Sequence, residues 1–185
     1  MRKSKRLWII VLLVLSVGMS SCSSDDVDDD INDPVNSKYL YSDDNYQVDF
    51  FLTNISGEET AIFKYGENIV FNLIILNKTN EQVLIEGGVT QLLGNNVFRV
   101  YSKDGKDIGV SWEYGDIETV MFYLFPHQER QWSCPWMSDV LCYPSKPFVM
   151  KEGVKLLSKG TYYSTFDIRI DETTIITCKI SFKII

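Results

Sequence analysis

One histidine and four cysteines bound the chemistry open to this chain of 185 residues. A Ser-His-Asp or Cys-His arrangement would have to use His127. That residue stands in Phe125-Pro126-His127-Gln128, which reads as an exposed turn between two strands. A multi-histidine metal centre cannot be built from one imidazole, and three cysteines without a neighbouring histidine make a poor structural zinc site. There is no Gly-x-Ser-x-Gly elbow and no phosphate-binding glycine loop. Paired carboxylates can hydrolyse glycosides, but Glu113, Asp116 and Glu118 fall in one polar hairpin and nothing marks them as buried. The expectation is a protein that is not an enzyme and that carries no metal or other cofactor.

The remaining chemistry lies in thiols and aromatic rings. Cys134 and Cys142 are separated by seven residues, and in an exported chain a disulfide between them is expected to add about 2–3 kcal/mol through loop closure. Cys178 falls on the apolar face of a strand and reads as a small core residue. It could instead pair with Cys134 or Cys142, or all three could stay reduced. Trp112, Tyr114, Trp132, Trp136 and Tyr143 lie within 32 positions. Exposed rings of this kind stack on sugars, and Glu113, Asp116 and Asp139 could bond the hydroxyls. The opposing reading is that aromatics in a sandwich fill its core. Trp132 lies on a strand and reads as core. Trp112 and Trp136, in turn or loop contexts, are the better ligand candidates, together with Tyr114 and Tyr143.

The N-terminus reads as an address. Arg2, Lys3, Lys5 and Arg6 precede an apolar run, Leu7 to Val17, broken only by Ser16. The run is too short for a spanning helix, which needs about 20 residues. Gly18-Met19-Ser20-Ser21-Cys22 then supplies the small residues of a secretory cleavage site. The stretch resembles a bacterial lipoprotein signal peptide with Met19 where Leu is usual, which implies cleavage before Cys22 and lipidation of Cys22. Acyl chains contribute about 0.8 kcal/mol per buried methylene, enough to hold a protein on a membrane. Ser23-Ser24-Asp25-Asp26-Val27-Asp28-Asp29-Asp30 resembles the export signal of surface lipoproteins in the Bacteroidetes, which implies the outer leaflet of the outer membrane, facing the exterior. A calcium loop fits poorly, since Ile31 stands where the turn needs glycine and Ser37 where it needs glutamate.

The net charge is −7, and loss of residues 1–21 with their four cationic side chains makes it −11. That balance argues against nucleic acid as a partner. Residues 1–21 are thus assigned to the signal peptide, 22–45 to an acidic tether, and 46–185 to one domain. The domain reads as strands. Tyr162, Ser164, Phe166, Ile168 and Ile170 alternate with polar residues, as do Ile176, Cys178, Ile180, Phe182 and Ile184. Ile69 to Leu76 is apolar on both faces except Asn72, which suits a central strand. Further candidates are 47–53, 61–64, 82–86, 97–102, 119–125 and 129–133, with turn signals at Asn77–Asn80 and Lys103–Lys106. No long stretch has a helical period. The expectation is an all-β, antiparallel Ig-like sandwich.

Within that pattern, Tyr65-Gly66-Glu67-Asn68 leads a strand ending at Asn77. Phe98-Arg99-Val100-Tyr101, Leu124-Phe125-Pro126 and Lys159-Gly160-Thr161-Tyr162-Tyr163 follow. The order resembles the Ig-like domain of the BsuPI-type proteinase-inhibitor family over about residues 60–184. His127 replaces the family's turn glycine, and residues 133–155 look like an insertion. The resemblance implies the fold and leaves the inhibitor activity as an alternative. The leading expectation is a lipid-anchored module that binds a glycan or an envelope protein. The other alternative is an accessory subunit of an envelope complex.

Overall fold

The computed structural model describes residues 35–115 and 121–185. Residues 1–34, with the expected signal peptide, Cys22 and the acidic tract, lie outside the described residues, as do Asp116 and Glu118. Among the described residues no helix is long and apolar enough to cross a membrane.

Two sheets face each other across an apolar core. The first has the order β1 (Lys38–Ser42), β2 (Tyr46–Thr53), β4 (Val70–Asn77), β10 (Glu129–Pro135). The second runs β3 (Ile62–Phe63), β13 (Ile175–Ile184), β12 (Gly160–Arg169), β6 (Val100–Ser102), β7 (Asp107–Gly109). All neighbours are antiparallel except β3 and β13. Two small ribbons complete the fold: β5 (Val83–Ile85) with β9 (Phe122–Leu124), and β8 (Trp112–Tyr114) with β11 (Phe148–Met150). A six-residue helix, α1 (Gly88–Leu93), buries Val89, Leu92 and Leu93. The expected class, an all-β antiparallel sandwich, is the one observed.

Period-two patterning explains the two long strands. Tyr162, Ser164, Phe166 and Ile168 of β12 and Ile176, Cys178, Ile180, Phe182 and Ile184 of β13 are buried, and the residues between them are half-buried or exposed except Lys183, which is buried. The central position of β4 explains Asn72. Its amide donates to Thr53 Oγ1 at 3.1 Å in β2, and its oxygen accepts from Ser133 Oγ at 2.6 Å in β10. A buried polar side chain is thereby satisfied by the strands on either side of it.

Phe98 is the hub of the core. Its ring lies 5.7–6.3 Å from those of Phe50, Phe71, Trp112, Phe148 and Phe166. Its φ of 55° is in the left-handed region, which costs a non-glycine residue on the order of 1–3 kcal/mol. That backbone turn swings the ring inward, so the strand expected over 97–102 begins only at Val100.

The strand registers define two ends of the sandwich. At one, Asn77 pairs with Tyr46 and Arg169 with Ile175; Tyr46 lies within electrostatic reach of Asp171. At the other, Val70 pairs with Thr53 and Pro135, and Gly160 with Ile184; Ile69, Trp136 and Ile184 meet there. We call these the Asn77 end and the Val70 end. The expected tether boundary at 45 shifts, because residues 38–42 already form β1 along Gln47–Phe51. Asn36 also exchanges backbone hydrogen bonds with Ser181 of the second sheet.

Candidate functional site

The aromatic residues expected to form a binding platform are not brought together on the surface. Trp112, on β8, is 2% exposed. Its ring packs at 4.5 Å from Phe148, 5.3 Å from Tyr114 and 6.3 Å from Phe98. Trp136 is 5% exposed, and its indole N–H donates to the Lys155 carbonyl at 3.0 Å. Both expectations of an exposed tryptophan are therefore corrected: these rings are core. Tyr114 is half-buried, with its hydroxyl donating to the Gly94 carbonyl at 2.7 Å, and burial raises its pKa. Only Tyr143 stands in solvent.

The burial of Trp136 has a local cause. Its backbone N–H donates to the Ile69 carbonyl at 2.7 Å and so extends the β10 ladder one step past Pro135. Trp132, Cys134 and Trp136 then share the inward face at alternate positions. The same alternation turns Cys134 inward. The disulfide expected between Cys134 and Cys142 is absent, and Cys134, Cys142 and Cys178 are all free thiols. Burial, and secondarily the neighbouring Cys142, raises the Cys134 pKa. Burial, and secondarily Asp167, pushes Cys178 up to about 12. Such thiols stay protonated and poorly reactive.

Beyond Pro135 the chain leaves the sheet as a loop at the Val70 end. Its exit is clamped by Asn68, whose amide donates to the Met137 carbonyl and whose oxygen accepts the Met137 N–H, both at 2.9 Å. Its return is clamped to β10: the Ser145 N–H donates to the Ser133 carbonyl at 2.8 Å, and the Ser133 N–H to Ser145 Oγ at 3.1 Å. At the tip, Asp139 Oδ1 accepts the Leu141 N–H at 2.9 Å, and the Asp139 carbonyl accepts the Cys142 N–H. Asp139, expected beside a sugar, is thus a turn-former. Between the clamps Val140, Leu141 and Tyr143 are 82%, 80% and 68% exposed. The residues 133–155 read as an insertion divide accordingly: 133–135 finish β10, 137–146 form this loop, and 148–150 are β11.

Among the described residues the candidate groups form no catalytic arrangement. His127 is exposed, with its Nε2 at 2.9 Å from Asn80 Oδ1 and no nucleophile bonded to it. Glu113 is exposed on β8. No group of three or more histidine, cysteine or carboxylate side chains suited to a metal occurs among the described residues.

The sequence reading passed over Val140 and Leu141. The signal available was two adjacent aliphatic residues behind Ser138-Asp139, with no alternation to bury them. No family model matches the chain, and no curated protein matches it. Among solved structures it is similar to the crystal structure of the C-terminal domain of wzt, at 11% identity over 83% of this chain and 82% of that chain, with a TM-score of 0.38.

Proposed function

We propose that this protein is a lipid-anchored binding module of the outer membrane, held by Cys22 and facing outward, that captures a protein partner through the loop 137–146. The observation that carries the reading is the exposure of Val140, Leu141 and Tyr143 on a loop clamped at both ends. Clustered apolar side chains in solvent are costly unless something covers them. Clamped ends reduce the ordering entropy that binding must overcome. Tyrosine is enriched at the energetic centre of protein interfaces. Carbohydrate capture by Trp112 and Trp136 is not proposed, because neither ring offers a free face.

The test compares envelope proteins that co-purify in stoichiometric amounts with the full chain and with Val140→Ser/Leu141→Ser/Tyr143→Ser. The three positions are exposed, so the variant should fold with unchanged melting. The reading predicts one partner retained by the parent and lost by the variant. Equal recovery by both would contradict it. The same clamped loop favours one second reading, a proteinase inhibitor. In that case the partner is a protease whose activity falls on stoichiometric mixing.

A further inference from the structure

The Asn77 end carries a groove of different character, and nothing in the loop reading uses it. It has a volume of about 700 Å³ and lies between β5 and the turn joining β12 to β13. Its lining includes five aliphatic residues beside polar Gln91: buried Ile85 and Ile170, half-buried Val83, and Leu84 and Ile175 at 40% and 50% exposure. No aromatic ring lines it, which disfavours sugar stacking.

The rim is acidic. Glu86, Asp171 and Glu172 face the groove against one cation, Arg169, which already has Asp167 of its own strand at 3.7 Å. Asp171 is fixed as an anion by its turn. Thr173 and Thr174 both donate hydroxyl and backbone N–H groups to its carboxylate, at 2.7–2.9 Å. The strand β5 pairs only with β9, so its second edge has no strand partner among the described residues. An unpaired edge beside an aliphatic trough is the geometry by which an extended peptide is read: backbone hydrogen bonds along the edge, alternate side chains into the trough.

We propose that this groove binds an extended peptide segment of a partner protein in which aliphatic and basic side chains alternate. The aliphatic set lies against Leu84, Ile170 and Ile175. The basic set meets Glu86, Asp171 and Glu172. A metal cation is a poor occupant, because no suitable ligand group exists there among the described residues.

The probe is a fluorescent peptide of alternating valine and lysine, six residues long, titrated by anisotropy against the full chain in zwitterionic nanodiscs. An alternating valine–glutamate peptide is the control. The expected result is saturable binding of the lysine peptide alone, weakened about tenfold by Glu86→Lys/Glu172→Lys. It should also be weakened by Ile175→Asn and left within twofold by Glu58→Lys/Glu59→Lys. The last pair makes the same change in net charge at exposed positions on the β2–β3 connection, at the Val70 end. No saturable binding would overturn the proposal. So would equal weakening by the two charge reversals, which would reduce it to attraction by the whole acidic chain. The loop 137–146 is untouched in every arm, so this result and that of the loop test stand apart.

Discussion

The two ends of the sandwich meet solvent in opposite ways. At the Asn77 end, polar side chains organise the turns. Asn77 is fully buried, donating to the carbonyls of Glu81 and Leu124 while accepting from the backbone N–H and hydroxyl of Thr79. Asp43 accepts the N–H groups of Asn45 and Tyr46, and Asp171 those of Thr173 and Thr174. Aliphatic residues there line a groove. At the Val70 end, large rings fill the interior and the aliphatic residues of the 137–146 loop stand outside. Exposure of apolar side chains is thus separated from aromatic content, and the tryptophans are a poor guide to the exposed apolar surface.

Thiol chemistry gives the sharpest contrast. Ellman's reagent should titrate half-buried Cys142 in the folded chain, while Cys134 and Cys178 react only as the chain unfolds. Loss of two titratable thiols in denaturant would mean that two of the three are joined, and would contradict the free thiols of the structure.

Next in size is the cost of removing rings. Trp136→Ala should destabilise by about 3–5 kcal/mol, and Tyr143→Ala by less than about 0.5 kcal/mol, both read from denaturant midpoints. Comparable losses would place Tyr143 inside and erase the distinction drawn here. At the opposite end, Asn77→Ala should cost about 2 kcal/mol, because it leaves two carbonyls without their donor. A neutral result would show that those turns do not depend on this side chain.

The smallest effect concerns pH. The hydroxyl of Thr173, then the backbone N–H groups and hydroxyl of the same turn, hold the Asp171 pKa down to about 2. A carboxyl whose folded pKa is depressed stabilises the fold above its unfolded pKa, near 4, and loses that contribution as pH falls toward 2. Because the group is exposed, solvent screening limits the contribution to under about 1 kcal/mol. Asp171→Ala should therefore flatten the melting-temperature profile between about pH 4 and pH 2. An unchanged slope would assign the acid sensitivity elsewhere.

Much of the sandwich was legible where one physical rule dominated. The alternation in Tyr162–Ile170 and Ile176–Ile184 gave β12 and β13, and the run around Asn72 gave the central strand. The rest depended on partners remote in sequence. Trp112 is buried because β8 pairs with β11, where it faces Met150, and three-residue strands carry too little periodicity to announce a pairing. The helix α1 is too short to show a helical period. Trp136 is the recoverable error: it continues the alternation of Trp132 and Cys134, but the expected strand stops at residue 133, short of Pro135 and Trp136. Tyr143 was named as a candidate for its ring and remains one for its exposure, whereas the neighbours that make it a surface, Val140 and Leu141, have no chemistry to advertise.

The most direct test is photo-crosslinking in cells that carry the full chain, with a benzophenone amino acid at position 141 in the loop and, as reference, at Ile62. Ile62 is 51% exposed on β3. Capture of a protein partner by the loop predicts a discrete adduct of defined mass from position 141 that is absent from position 62 and is lost with Tyr143→Ser. No adduct at 141, or the same adducts at both positions, would contradict it.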